Sequence, residues 1–414
     1  GTVTGSAVAN VMATGSITIP TMKRLRYPPA FAGAVEAVAS SAGQLTPPVM
    51  GAGAFIMAEF LNIPYTQIAV AAMGPAFLYY LAIWLGVDLY ARRTGLQPTP
   101  KNEMPKPADF LAPDKAIPLF LPIATVVYFL FQGYTPSFAG AASIIVLILA
   151  CAAVRPFGRD TREQGLKACW TGLVRDVYEG MVEAGRALVM IAALLACAAI
   201  VVKVLTATGA GVKISNLLFS VSDQGLIVAL LLAAVLSIVL GMDVPTTASY
   251  VLAAAVAAPS LVRLGLPELT AHLFVFYYAI LSAITPPVCA SVYAAAALAG
   301  ANFWKVAGRA LVLAGAVYVV PFLFVFRPGI LAQGGTGQIV LDLGVASAAV
   351  FAVSVGLSGY FRGTLSIPGR GVFLASAALL FYAAPMADII GGLALTGLIV
   401  WRFMRGERQT LSTG

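Results

Sequence analysis

Ser282-Ala-Ile-Thr-Pro-Pro-Val288 is a Thr-Pro-Pro break inside an otherwise apolar segment, and the chain carries the same break earlier, at Gln44-Leu-Thr-Pro-Pro-Val49. Proline lacks an amide proton and clashes with the preceding turn, so two in succession open a helix and leave carbonyl groups without partners. In lipid such groups are costly unless they line a cavity or hold an ion. A pair of matching breaks in one apolar chain therefore points to a transporter binding site.

Composition puts both breaks in a membrane. Of 414 residues, 60% are hydrophobic and 10% charged, with mean hydropathy +0.92; a soluble domain carries about 25% charged residues. The formal net charge is +8, and Lys and Arg cluster between apolar segments. That pattern marks cytoplasmic loops, and no separate basic domain suggests nucleic acid. Cys151, Cys169, Cys197 and Cys289 are isolated and His272 is the single histidine, so zinc sites, iron–sulfur sites and disulfides are not expected. No Walker A motif is present, which argues against an ATP-driven pump in this chain. The chain opens at Gly1 inside a motif, so a missing N-terminal part is expected.

The polar tips lie ahead of the breaks. Residues 1–10 form a small-hydroxyl tip, followed by an apolar helix from Ala7 to Met22 that stops at Lys23, Arg24 and Arg26. It is short for a full span and reads as re-entrant. Gly241-Met-Asp-Val-Pro-Thr-Thr-Ala-Ser-Tyr250 is the second tip, again followed by an apolar helix. Aligning Gly1 with Gly241 places Ser6 on Thr246 and brings Thr46 to Thr285 with a shift of one residue.

Further spans are expected at 67–91, 115–132, 137–154, 187–206 and 305–326, with an interfacial amphipathic helix over 155–185. Weaker helices follow at 339–357 and 371–404. Trp84, Tyr90, Trp304 and Trp401 read as interfacial anchors. Keeping the basic clusters on one side makes the two tips enter from opposite faces, an inverted-topology repeat. The expected division is 1–91 as a first repeat, 92–114 as a cytoplasmic loop, 115–326 as a second repeat and 327–414 as extra membrane helices.

Gly5-Ser6-Ala-Val-Ala-Asn10, Gly15-Ser-Ile-Thr-Ile-Pro20 before Lys23-Arg24, and both Thr-Pro-Pro segments resemble the large membrane subunit of tripartite ATP-independent periplasmic (TRAP) transporters. The helices after residue 330 look like those of the fused-permease branch, which pairs with TAXI-type binding proteins. The resemblance implies an all-α polytopic membrane protein with two re-entrant hairpins and two Pro-Pro-broken helices. It also implies an elevator mechanism in the bacterial inner membrane. Sodium would drive uptake of a small organic anion, such as a dicarboxylate, delivered by a periplasmic binding protein. A small membrane subunit would be separate or fused upstream. No cofactor besides the coupling ion, no further metal and no catalysis are implied.

Carried onto this sequence, the sodium ligands are Gly5, Ser6, Asn10, Thr46, Gly241, Asp243 and Thr285, and the substrate residues are Ser6, Thr246, Thr247, Pro47 and Pro286. Sodium needs several oxygens and no strong base, which hydroxyls and freed carbonyls supply. An acid at membrane depth, Asp243, is expensive and usually functional, although it could equally cap the helix that begins near Pro245. Capping is also the structural alternative for Ser6, Thr246 and Thr247, as a plain proline kink is for Thr46 and Thr285. No buried Arg stands out as a substrate clamp. The competing classes are a carrier that needs no binding protein, a passive channel and an intramembrane enzyme. An inverted repeat argues against the channel, and a lone histidine without clustered Cys, Asp or Glu argues against the enzyme.

Overall fold

The computed structural model describes residues 5–96, 113–157, 166–209, 213, 225–242 and 244–411. Among them there is no β-strand, only an isolated bridge between Tyr360 and Thr364. Helices alone satisfy their own backbone polar groups in lipid, which is why so apolar a chain takes this form. Tyr65–Thr94, Pro136–Val154, Thr336–Ser358 and Pro385–Arg402 are long and apolar enough to cross a membrane, and Phe303–Ala314 with Val317–Phe326 forms a fifth span bent by 54°. The chain is a multi-pass membrane protein.

The chain separates into two compact units. One holds residues 1–61, 68–97 and 204–414, and the other 62–67 and 98–203. The first unit is organised around two broken spans. In copy one, α1 (Ala7–Arg24) is capped by the Ser6 hydroxyl, which accepts from Ala9 N at 3.3 Å. It stops at Leu25, and Arg26 takes the left-handed conformation at φ 67°. Pro28 then leads into α2 (Pro29–Ala42). A 3-10 turn at Gly43–Leu45 follows, Thr46 is extended, and α3 (Ala52–Leu61) resumes. α4 (Tyr65–Thr94) comes next, at about 45 Å for its 30 residues.

Copy two repeats this turn for turn. The helix that supplies its tip (Leu226–Gly241) and the helix after it (Thr246–Arg263) precede Glu268–Leu281, a 3-10 turn at Ser282–Ile284, an extended Thr285 and Ala290–Ala299. In chain order, with α5 (Pro113–Phe131), α6 (Pro136–Val154) and α7 (Leu166–Ala207) between the copies, these four are α8, α9, α10 and α11. Ala7 matches Thr246, Arg24 matches Arg263 and Thr46 matches Thr285, a constant offset of 239 residues. After the breaks the offset is 238, so that Ala52 matches Ala290 and Tyr65 matches Phe303. The backbone agrees: Pro28 and Pro267 cap at φ −58°, ψ 140° and φ −55°, ψ 142°, and Thr46 and Thr285 lie at φ −89°, ψ 116° and φ −98°, ψ 120°. Both Pro-Pro bonds are cis. Aligning Gly1 with Gly241 is therefore one residue off, and Ser6 corresponds to Pro245 rather than to Thr246. Gly and Ser at the tips carry no register, whereas the helix starts do.

The copies are interleaved. α1 packs on α2 and α11, while α9 packs on α10 and α3, so each broken span lends its second half to the other copy. Likewise the 3-10 turn of each break packs against the first half of the other broken span. α10 is buried almost all round, from Leu273 to Leu281, as expected of an apolar helix at the centre of a bundle. The C-terminal side of this unit adds α12 (Phe303–Ala314), α13 (Val320–Phe326), α14 (Thr336–Ser358), α15 (Ile367–Phe381) and α16 (Pro385–Leu411). The span expected at 305–326 is present and bent. Of the aromatic residues near span ends, Tyr90 stacks on Phe31 with ring centroids 3.6 Å apart, whereas Trp84 and Trp304 are well exposed.

In the second unit α5 and α6 form a hairpin. Gly133 turns it at φ 82°, Thr135 caps α6 by accepting from Phe138 N, and Ser143 Oγ donates to Pro122 O at 2.9 Å. α7 is one helix of 42 residues, not an interfacial helix followed by a separate span. Nothing between Arg186 and Ala187 breaks it, since neither residue is a helix breaker.

Candidate functional site

Each break leaves its first half-helix without a continuing partner, and a threonine hydroxyl takes over. Thr46 Oγ1 donates to Ala42 O at 2.8 Å and Thr285 Oγ1 to Leu281 O at 2.7 Å. Each threonine also meets a tyrosine: Tyr80 Oη lies 3.2 Å from Thr46 Oγ1, and Tyr318 Oη lies 2.5 Å from Thr285 Oγ1. Tyr80 and Tyr318 are equivalent at the 238-residue offset. The two predicted threonines are thus matched in their hydrogen-bond partners as well as in sequence.

The tips are tied to the breaks. Gln44, 1% exposed, donates through Nε2 to Gly5 O at 2.9 Å and accepts through Oε1 from Thr246 Oγ1 at 3.0 Å. One side chain of the first break therefore holds both the first tip and the start of the second copy's tip helix. At the second break, Ser282 Oγ lies 2.9 Å from Gly241 O. A Cβ on Gly241 would come within 2.4 Å of Ser249 Oγ and 2.5 Å of Ser282 Oγ, so only glycine fits there. Gly5, Thr46, Gly241, Thr246 and Thr285 are accordingly all engaged with the breaks or their neighbours.

The remaining expected residues are placed as follows. Ser6 caps α1. Thr247, Pro47 and Pro286 are half-buried beside the tips and breaks. Asp243 lies outside the described residues. Asn10 sits one turn inside α1 and donates through Nδ2 to Ser40 Oγ at 3.0 Å. It belongs to a polar cluster around Glu36, a buried carboxylate that takes hydrogen bonds from Thr14 at 2.5 Å, from Ser40 at 3.1 Å and from Thr18. A buried acid is tolerated when hydroxyls satisfy it in this way. Copy two has Ser249 in place of Asn10 and Ala253, Ala257, Val275 and Ala279 in place of Thr14, Thr18, Glu36 and Ser40, so the carboxylate and the hydroxyls that satisfy it are confined to one copy.

Sequence reading missed Gln44, Ser282, Ser249 and the two tyrosines. Gln44 and Ser282 lie beside the breaks, yet a residue two or three positions before a Thr-Pro-Pro carries no mark of its own. The Ser249 and Ser291 hydroxyls are fully buried and have no partner among the described residues. Oxygens of that kind, close to Gly241 and to the second break, suit a hard cation that needs oxygen ligands and no strong base. Among the described residues no group of His, Cys, Asp and Glu could hold a transition metal.

A model of the family described as "Tripartite ATP-independent periplasmic transporter, DctM component" matches residues 1–336. An uncharacterised protein, y4mL, of Sinorhizobium fredii (strain NBRC 101917 / NGR234) is 22% identical over 333 residues, which covers 79% of this chain and 75% of that protein.

Proposed function

Since the chain belongs to the DctM component family of tripartite ATP-independent periplasmic transporters, we propose that it couples sodium entry to uptake of a small organic anion by moving its interleaved copies as one carrier. The coarser part of that reading, a membrane subunit of a TRAP-type transporter, follows from the family. The finer part is our reading of the site. The observation that carries it is the Gln44 bridge, with Gly5 O on one side and Thr246 Oγ1 on the other.

A carrier has to bind ion and substrate where its two halves meet and must not let the halves drift apart while loaded. The reciprocal packing of α3 on α9 and α11 on α1 favours such a unit, since neither copy can move without the other. In this reading the tips enter from opposite faces as re-entrant hairpins, and the unit slides past a scaffold in elevator fashion. Sodium sits on oxygens of Gly5, Ser6, Asn10 and Thr46 in copy one and of Gly241, Asp243 and Thr285 in copy two, with Ser249 as a further donor. The anion lies against Ser6, Thr246, Thr247, Pro47 and Pro286, where the first turns of α1 and α9 turn the positive ends of their helix dipoles toward a carboxylate. A TAXI-type periplasmic binding protein delivers it, and a small membrane subunit completes the assembly in the inner membrane.

The test is uptake in proteoliposomes by the full assembly with its binding protein. Asp243→Ala and Thr285→Ala should each abolish sodium-dependent uptake while the protein still reconstitutes. Uptake by both variants with unchanged sodium dependence would remove these residues from the site.

A further inference from the structure

At one end of the first unit, the start of α2, the C-terminal end of α4, α12 and the C-terminal end of α14 enclose a cavity of ≈ 250 Å³. Its mouth is basic. Arg93 donates to Ser358 O at 2.6 Å and Arg309 lies over the Tyr90 ring, 6.0 Å from its centroid. Neither guanidinium has a carboxylate partner among the described residues, and the nearby Asp88 is already paired with Arg92. No acidic residue lines the cavity. Its floor is apolar, made by Leu313 and Leu357, and is closed where α4 meets α12 at Gly86 and where α12 meets α14 at Gly315. Ser354 lines the same cavity, and its buried hydroxyl has no partner among the described residues.

Two guanidinium groups without carboxylate partners, over an apolar floor, are complementary to an anionic head on a hydrocarbon chain. We propose that this cavity binds an anionic amphiphile, its phosphate between Arg93 and Arg309 and its chain against Leu313 and Leu357. Basic pockets between membrane helices take lipid phosphates in this manner. Ser354, Leu357 and Ser358 lie on α14, beyond residue 336 where the family match ends. The extension therefore supplies one wall of a site that the family portion alone leaves open, and lipid anchoring becomes a function of the added helices. The inference needs the membrane location and not the sodium-coupled mechanism.

The experiment uses the full chain in nanodiscs of phosphatidylcholine with a minor share of phosphatidylglycerol, with retained lipid counted by native mass spectrometry. The wild type should retain phosphatidylglycerol in preference to phosphatidylcholine, and the double variant Arg93→Gln/Arg309→Gln should lose that preference by about tenfold or more. Both arginines are exposed, so the variant should fold as the wild type does. Inorganic phosphate in excess should fail to displace the lipid, because the chain contributes to binding. Equal retention by wild type and double variant would overturn the proposal. Displacement by phosphate alone would also overturn it, and would assign the arginines to the free anion.

Discussion

Gln44 Oε1 accepts a hydrogen bond from Thr246 Oγ1 at 3.0 Å, and the two residues are 202 positions apart. The same side chain donates to Gly5 O, so the first break holds a point in each copy at once. In a bundle whose copies exchange their second half-helices, this is a polar contact that crosses between them at the level of the breaks.

Gln44→Leu keeps the volume and removes both bonds. The Gly5 carbonyl and the Thr246 hydroxyl would be left without that partner, at a cost of about 1–3 kcal/mol for a buried unsatisfied group. We expect a lower thermal midpoint in detergent and a loss of uptake larger than the loss of folded protein. Uptake that falls only in proportion to folded protein would make Gln44 a purely structural residue.

The two break threonines should differ in weight. Thr285 meets Tyr318, a half-buried residue, at 2.5 Å, whereas Thr46 meets Tyr80, 42% exposed, at 3.2 Å. A double-mutant cycle of Thr285→Val with Tyr318→Phe should give a coupling of about 1 kcal/mol, and the cycle of Thr46→Val with Tyr80→Phe less than half of that. Equal couplings in urea or thermal unfolding would contradict the difference in exposure.

Glycines on α4 offer a test of the packing alone. A Cβ at Gly74 would lie 2.0 Å from the backbone oxygen of Ile330, while one at Gly86 would meet the tip of the Leu313 side chain at 2.5 Å. Backbone cannot yield as a rotamer can, so Gly74→Ala should cost about 1–3 kcal/mol and Gly86→Ala clearly less. Thermal unfolding of the two variants side by side checks the order, and a larger loss at Gly86 would refute it.

Local chemistry carried much of the fold into the sequence. The Thr-Pro-Pro breaks, the Ser6 cap and the basic stop after α1 act within a few residues, and all are found where the residues put them. The one-residue error in the repeat came from aligning glycines at the tips. Residues 155–186 look amphipathic because charges recur there, but charge on one face does not end a helix, and α7 runs on. Gln44 was illegible for a different reason: its partners are 39 and 202 positions away, and a glutamine before a proline break has no local signature. The Glu36 cluster lies between these cases. Asn10, Thr14 and Thr18 recur every four residues along α1, a polar stripe visible in the sequence, but only the packing of α2 shows that it surrounds a carboxylate.

Arg327 and Asp342 are both 2% exposed at the side chain and form an ion pair at 3.5 Å. Asp342 also accepts from Gly329 N and from Gln338 Nε2, each at 2.9 Å, while Arg327 donates to Leu380 O at 3.0 Å and pairs with Asp388. The cluster ties the end of α13 to α14, α15 and α16. Removing one member strands a buried charge, so Asp342→Ala should cost about 3–5 kcal/mol, whereas Arg327→Met with Asp342→Leu should recover a large part of that loss. The surface pair Arg92–Asp88, with Arg92 67% exposed, is the control, and Asp88→Ala should change stability by less than about 1 kcal/mol. Hydrogen exchange localises the effect: Asp342→Ala should accelerate exchange in α14 and α15 and leave α2 and α10 protected. A uniform acceleration through α2 and α10 would mean that these helices unfold with the core rather than docking onto it through this cluster.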